Sequence, residues 1–139
     1  MKGRFFSVEN SIVQIKNLSK VFTTADSTVK ALENINLDIE AGDIFGIIGV
    51  SGAGKSTLVR CINFLERPTA GTVIFDGQDL SAFSEKQIQS ARRSMGMIFQ
   101  QFNLLMQRTA IKNIMFPLEI AGIPKADARK KAQKLLELV

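Results

Sequence analysis

Histidine, tryptophan and tyrosine are absent from this sequence of 139 residues, and Cys61 is its only cysteine. One cysteine cannot form an internal disulfide, and a zinc site built from cysteine and histidine is excluded. The lack of histidine also removes the side chain that most often acts as a general base. Because Cys61 shares a predicted helix face with Leu58 and Leu65, we interpret it as a small buried hydrophobic residue.

Long hydrophobic runs are also missing. The longest are short, as in residues 44–50, whereas a membrane-spanning helix needs about 20 apolar residues. The first residues, MKGRFFSVENS, contain no apolar core of signal-peptide length. We therefore expect a cytoplasmic protein.

The charge balance is moderately basic, with 18 basic and 13 acidic residues and a net charge of +5. Much of the excess lies near the end of the chain, in Lys125, Arg129, Lys130, Lys131 and Lys134. No aromatic residue interleaves with these side chains, so the stacking surface that single-stranded nucleic acids use is missing. We interpret the cluster as the solvated face of a helix and expect no nucleic-acid partner.

Hydrophobic periodicity predicts an α/β protein. In the first forty residues, Val13 and Ile15 alternate with polar neighbours, and so do Ile35 and Leu37, which predicts strands with one buried face in an antiparallel sheet. Residues 44–50 are nearly all apolar, which is typical of a strand buried on both faces in a parallel sheet. A helix is predicted after them, over residues 54–65.

Turn and capping signals place the remaining elements. Strands are predicted over residues 72–75 and 96–100. Ser84 and Gln87 have the spacing of a capping box, which predicts a helix from Ser84 to about residue 94. Residues 109–121 are expected to be helical. A last helix carries an apolar stripe made of Ala128, Ala132, Leu135, Leu136 and Val139.

The segment GVSGAGKST, residues 49–57, matches the pattern G-x-x-x-x-G-K-[ST] of a phosphate-binding loop. Glycines let successive backbone N–H groups curl around phosphate oxygens, and the helix that follows directs its positive end at them. Lys55 adds a full charge near the β- and γ-phosphates, and Ser56 offers a ligand to Mg²⁺. The residues predicted to hold a triphosphate are Gly49, Ser51, Gly52, Ala53, Gly54, Lys55, Ser56 and Thr57.

Around this loop the sequence resembles the ATP-binding subunit of ABC transporters. LSKVF, residues 18–22, is similar to the adenine-stacking segment of that family, and MGMIFQ, ending at Gln100, is similar to its Q-loop. Two segments, CINFLERPTAGTV and ARRSMGMIFQQFNLL, most resemble importers of methionine, although importers of polar amino acids share much of the same sequence.

The resemblance implies the fold of a P-loop NTPase. Residues 1–139 would be part of one ATP-binding domain, which divides near residue 95. Residues 12–95 would form the antiparallel sheet, the parallel core strands and the phosphate loop, and residues 96–139 the Q-loop and the start of a helical subdomain. It also implies ATP and Mg²⁺ as cofactors, a second ATPase subunit as partner, and a permease that holds the protein at the inner face of the membrane.

Two site residues come from the resemblance alone. Phe22 would stack on adenine, with a place in the sheet core as the alternative. Gln100 would contact Mg²⁺ or the attacking water and report the nucleotide state to the permease. A solvated glutamine at a strand end is the alternative for Gln100, and Gln101 is its neighbour and competitor.

Three further features of the family are not in this sequence: an LSGGQ-like signature, an apolar strand ending in Asp-Glu, and a switch histidine. We therefore expect a truncated, N-terminal part of a longer ATPase subunit, which binds nucleotide weakly and has negligible turnover. Without later strands, residues 44–50 would keep unpaired backbone groups and an exposed apolar surface. Such a fragment is expected to be marginally stable, to aggregate, or to complete its sheet by exchange with another copy.

Two other functions remain open from the residues. The chain could be a non-catalytic interaction fragment, which a natural protein of this length would favour. It could also be a different phosphate-loop enzyme, such as a small kinase or GTPase. The antiparallel sheet before the loop and the segment around Gln100 argue against that, and no acceptor pocket is recognisable.

Overall fold

The computed structural model describes residues 11–139, which divide into two compact units between Met95 and Gly96. The first unit contains strands β1 (Ser11–Thr23), β2 (Thr28–Glu40), β3 (Ala70–Phe75) and β4 (Gln78–Asp79), a 3₁₀ turn (Leu80–Ala82), and helices α1 (Lys55–Ile62) and α2 (Glu85–Arg92). The second unit contains helices α3 (Ala110–Ile120) and α4 (Lys125–Glu137). Among residues 11–139, no helix has the length and apolar character needed to span a bilayer.

The four strands form one antiparallel sheet in the order β2-β1-β3-β4. The alternating residues pair across it, since Ile15 lies opposite both Leu37 of β2 and Val73 of β3. Their shared face is the buried one, because alternate residues of a strand point to the same side. The predicted antiparallel sheet is therefore confirmed.

Helix α1 and the sheet share one hydrophobic core. Leu58 and Cys61 of α1 belong to the same buried cluster as Ile15, Leu18 and Val73 of the sheet. Cys61 is fully buried, as predicted, and burial raises the pKa of its thiol. A protonated, inaccessible thiol is a packing group rather than a nucleophile.

Helix α2 begins as the sequence predicted, with Ser84 and Gln87 forming a capping box. Two arginine side chains connect it to the segment after α1. Arg67 forms an ion pair of 2.7 Å with Glu85, and this pairing lowers the pKa of the Glu85 carboxyl. Arg92 donates hydrogen bonds to the carbonyl oxygens of Asn63 and Phe64.

In the second unit α3 packs against α4 around Met115, Ala128 and Ala132. Pro117 lies inside α3 without ending it. The predicted stripe of α4 is only partly correct, because Ala128 and Ala132 are buried whereas its remaining members are exposed, namely Leu135, Leu136 and Val139. The small residues pack against α3, whereas the larger ones past them stay exposed, and Leu135 lines a cavity beside Ile114 and Leu118 of α3.

Two predicted strands are not formed. Residues 44–50 and 96–100 have no strand assignment, and the side chains of Ile44, Ile48 and Ile98 are almost fully exposed. A strand is defined by its ladder of hydrogen bonds, and among residues 11–139 neither segment has a partner strand. The two segments predicted to be strands are therefore not strands among the described residues. The expected exposed apolar surface of residues 44–50 is confirmed.

Candidate phosphate-binding site

The loop over residues 49–57 folds back on itself before α1. The Ala53 N–H donates to the Val50 carbonyl at 3.2 Å, and Gly52 and Gly54 have φ angles of 81° and 83°. Residues with a Cβ avoid these left-handed conformations, so the glycines let the chain reverse between the apolar segment and the helix. The curled backbone is the geometry that the phosphate-loop pattern predicts.

Gly54 also fixes the loop against the sheet. A Cβ on this residue would lie 2.4 Å from the backbone oxygen of Ala31 and 3.0 Å from Cδ2 of Leu32. The loop backbone therefore touches β2 at a distance that only glycine permits. The sheet thereby holds the start of α1 in place.

Lys55 folds over the loop that precedes it. Its ammonium Nζ donates to the carbonyl oxygens of Gly49 at 2.8 Å and Val50 at 2.7 Å. The charge is thus held at the loop by its own backbone rather than by a carboxylate. It stays uncompensated, which suits an anionic ligand.

The N-terminus of α1 is open to an anion. Gly54 is its N-cap residue and provides no side-chain cap, and no acidic residue occupies the first turn. The first N–H groups of a helix lack intrahelical partners, and the helix dipole adds positive potential there. Ser51, Gly52, Ala53 and Ser56 are exposed, while Gly54, Lys55 and Thr57 are half-buried. Free amides, one lysine and hydroxyls form a donor set that fits a triphosphate.

Mg²⁺ also fits this set of residues. Within the described part of the chain, no group of three or more acidic, cysteine or histidine side chains could hold a metal ion on its own. The exposed hydroxyl of Ser56 would be a single protein ligand beside phosphate oxygens and water. That arrangement is common for Mg²⁺, which usually keeps several waters and binds through its substrate's phosphates.

Phe22 lies on β1 next to the turn of the hairpin that joins it to β2. It pairs with Val29, and its side chain is 38% exposed. Val29 is two residues from Ala31, the residue whose carbonyl oxygen Gly54 approaches. Strand geometry makes this about 7 Å along β2 plus about 5 Å across the pair. The accessible ring and the phosphate loop are therefore neighbours in the same unit.

Gln100 lies in the second unit, in a segment with neither helix nor strand, and its side chain is exposed. Gln101 next to it is exposed as well. The strand that was expected to end at Gln100 is not formed. Its role at the nucleotide stays a prediction.

A set of polar contacts joins β1 to the segment after α1, and the sequence did not predict it. Lys20 forms an ion pair with Glu66 at 2.6 Å and donates to the Arg67 carbonyl oxygen at 2.8 Å. One residue along, the Val21 N–H donates to the hydroxyl of Thr69 at 3.0 Å. These partners are more than forty residues apart in sequence. No local pattern could have paired them, although Lys20 lies inside the LSKVF segment.

Comparison with protein families gives a direct match. The model of the ABC transporter family matches residues 32–139. Curated relatives include methionine import ATP-binding proteins of Shouchella clausii, 53% identical, and of Escherichia coli strain K12, 49% identical. Each alignment covers 92% of this chain and 37% of the relative. The chain thus spans a little over a third of the length of these relatives.

Solved structures agree with the fold. A dimeric ATP-binding cassette in a post-hydrolysis state, bound to ADP and Pi, superposes with a TM-score of 0.83 at 34% identity, over 90% of this chain and 56% of that one. A protein from Clostridium perfringens that is part of an ABC transporter complex gives a TM-score of 0.70 at 28% identity, over 92% and 50%. From its sequence match and its fold, the chain belongs to the ABC transporter family.

Proposed function

We propose that this chain is the nucleotide-binding part of an ABC-type ATPase that drives amino-acid import, with methionine as the favoured cargo. The observation that carries the proposal is the phosphate loop. Lys55 lies over it at 2.8 Å from the Gly49 carbonyl oxygen, and the uncapped start of α1 adjoins it. A glycine-rich turn without a ligand would have no need for a lysine held in this position.

The residues of the loop would share the work of binding. Backbone N–H groups of residues 51–57 would donate to phosphate oxygens, and Lys55 would neutralise charge near the β- and γ-phosphates. Ser56 would ligate Mg²⁺, and Phe22 would stack on the base. When bound, Mg·ATP supplies the phosphoanhydride bond whose hydrolysis drives transport. Gln100 would contact Mg²⁺ or the attacking water and report the nucleotide state to the permease.

Turnover is expected to be negligible in these 139 residues alone. The sequence has no histidine and no strand ending in Asp-Glu. The proposed role of this part is therefore to grip and position the nucleotide. Hydrolysis, dimerisation with a second ATPase subunit and coupling to a permease at the inner face of the membrane belong to the proposed intact protein.

Methionine is favoured as cargo because relatives about 50% identical over 92% of the chain are named methionine import ATP-binding proteins. Importers of polar amino acids are the alternative. A transport chimera separates the two: residues 11–139 replace the aligned part of the Escherichia coli methionine importer ATPase. The same segment is placed in the ATPase of an importer of polar amino acids.

We predict that the methionine chimera retains at least about a third of the wild-type uptake rate, whereas the polar one falls roughly tenfold, because the segment would fit only its own type of permease. The uptake of radiolabelled amino acid into cells is the measurement. A Lys55→Met version of the active chimera serves as the control and should abolish uptake. Equal uptake by both chimeras would remove the preference for methionine, and none by either would contradict the importer function.

We also propose that residues 44–50 complete a sheet with a second copy of this chain when no other strand is supplied. Ile48 is 95% exposed and Val50 79% exposed, and no residue of the segment is assigned to a strand. Unpaired apolar strand segments are templates for pairing with another chain.

For this association we predict a concentration-dependent rise in sedimentation coefficient over about 5–200 μM, because the pairing is bimolecular. Ile48→Lys should suppress the rise by placing a charge in the pairing segment. Leu138→Lys is the matched control, since Leu138 is 79% exposed but lies in the second unit. A chain that sediments as a monomer throughout, or an equal effect of both variants, would rule out this mode of pairing.

A further inference from the structure

Lys20 makes three contacts that converge beside Phe22. Its ammonium lies 2.6 Å from a carboxylate oxygen of Glu66, 2.8 Å from the carbonyl oxygen of Arg67, and 4.8 Å from the centroid of the Phe22 ring. Its side chain is only 12% exposed. A lysine on a sheet normally extends into water, so this one is held by the contacts around it.

The partners of Lys20 belong to the segment that follows the phosphate-loop helix. The Glu66 N–H donates to the Arg60 carbonyl oxygen of α1 at 2.9 Å. Thr69 adds a second connection, since its N–H donates to the Ser19 carbonyl oxygen at 2.9 Å and its hydroxyl accepts from the Val21 N–H at 3.0 Å. The end of α1 is thereby attached to β1 within three residues of Phe22.

We propose that Lys20 is a positioning residue for the nucleobase: held by Glu66 and Arg67, it covers one face of Phe22 and leaves the other face for a purine. The inference rests on the proposed function, in which Phe22 stacks on adenine. An ammonium over a ring is attracted by the electron-rich face. It draws electron density to its own side, which favours stacking of an electron-rich purine on the opposite side.

The contacts of Lys20 also indicate that it does not bind phosphate, unlike Lys55. Lys55 is bound to the loop carbonyls, whereas Lys20 is bound to Glu66 and therefore has its charge compensated. A compensated ammonium contributes little to the attraction of a polyanion. The two lysines should consequently differ in which part of a nucleotide they serve.

The test compares ATP with inorganic tripolyphosphate, which offers the phosphates without a base. Calorimetric titrations in Mg²⁺ buffer are run on the wild-type chain, Lys20→Met, Phe22→Ala and the double variant. Lys20→Met should weaken ATP binding about fivefold, because the purine loses its stacking contact with a positioned Phe22 ring, and leave tripolyphosphate binding unchanged within about twofold. In the Phe22→Ala background it should have no further effect on ATP.

Three further variants separate the proposed role from loss of charge or loss of folding. Lys30→Met removes the same charge from the same hairpin, but the Lys30 pair with Glu33 is exposed, and it should leave both affinities unchanged. Lys20→Arg keeps a cation over the ring and should restore ATP binding. If Lys20→Met fails to fold, Lys20→Gln keeps a side chain that can donate to the Arg67 carbonyl oxygen but carries no charge, and it should also weaken ATP binding alone.

The outcomes separate the two proposals. An equal loss for ATP and tripolyphosphate, an undiminished effect in the Phe22→Ala background, or no effect on either ligand would overturn the role of Lys20 while leaving nucleotide binding intact. A wild-type chain that binds neither ligand would overturn the proposed function and the role of Lys20 with it.

Discussion

Gly54→Ala is expected to lower the free energy of unfolding by about 3 kcal/mol and to weaken ATP binding at least tenfold. The added Cβ would lie 2.4 Å from the Ala31 carbonyl oxygen, a backbone atom that cannot turn aside. The left-handed φ of 83° costs about 1–2 kcal/mol more for alanine than for glycine. Relief of the clash moves the loop away from β2, and overpacking of this kind costs about 1–3 kcal/mol.

Binding suffers because the same residue caps α1. A displaced Gly54 takes the first N–H groups of α1 and the neighbouring Lys55 out of register with the phosphates. Loss of one or two hydrogen bonds to a charged group is worth about 1.5–3 kcal/mol each, which corresponds to roughly tenfold or more in affinity. The single added Cβ of Gly54→Ala should therefore lower both the free energy of unfolding and the affinity for ATP.

Gly42→Ala is the matched control for the cost of placing an alanine at a left-handed φ angle. Gly42 has a φ of 86°, close to that of Gly54, but nothing lies within 4 Å of its added Cβ and it is outside the loop. It should lose about 1 kcal/mol and keep ATP affinity. Urea unfolding monitored by circular dichroism gives the stabilities, and calorimetry gives the affinities. Equal stability losses in the two variants would show that the contact with Ala31 has no consequence.

The phosphate loop could be predicted from the sequence because the residues that define it are adjacent in the chain. Two glycines in left-handed conformations and the lysine that follows are fixed by spacing along the chain, so GVSGAGKST predicts both conformation and chemistry. The capping box of Ser84 and Gln87 and the alternating strands were predictable for the same reason. Patterns within a few residues report on backbone angles and on which face is buried.

Features that depend on residues far apart in the sequence could not be predicted. Residues 44–50 have the composition of a buried strand, yet burial on both faces requires neighbours, and the described residues include none for them. The contact between Lys20 and Glu66 spans 46 residues and leaves no periodic signature. The composition of a segment indicates its preference for a strand, but the strand forms only where a neighbouring strand pairs with it.

Lys55→Met is expected to weaken ATP binding about a hundredfold, which corresponds to about 2.7 kcal/mol. The ammonium is a full positive charge held on the loop carbonyls, at 2.8 Å from Gly49 O and 2.7 Å from Val50 O. Methionine has a similar length without charge or donors, so it removes the attraction for phosphate and frees both carbonyls. The free energy of unfolding should fall by only about 1 kcal/mol, because the carbonyls lie in an exposed loop that water can reach.

The decisive measurement again uses ATP and tripolyphosphate together. Because Lys55 acts on phosphate, Lys55→Met should weaken both ligands by the same factor, and the Lys30→Met control should weaken neither. This contrasts with Lys20→Met, which should affect ATP alone. Retained tripolyphosphate binding in Lys55→Met would contradict the phosphate-binding role of the loop. A common loss for Lys55 with a selective loss for Lys20 would divide the site into a phosphate half at α1 and a base half at Phe22.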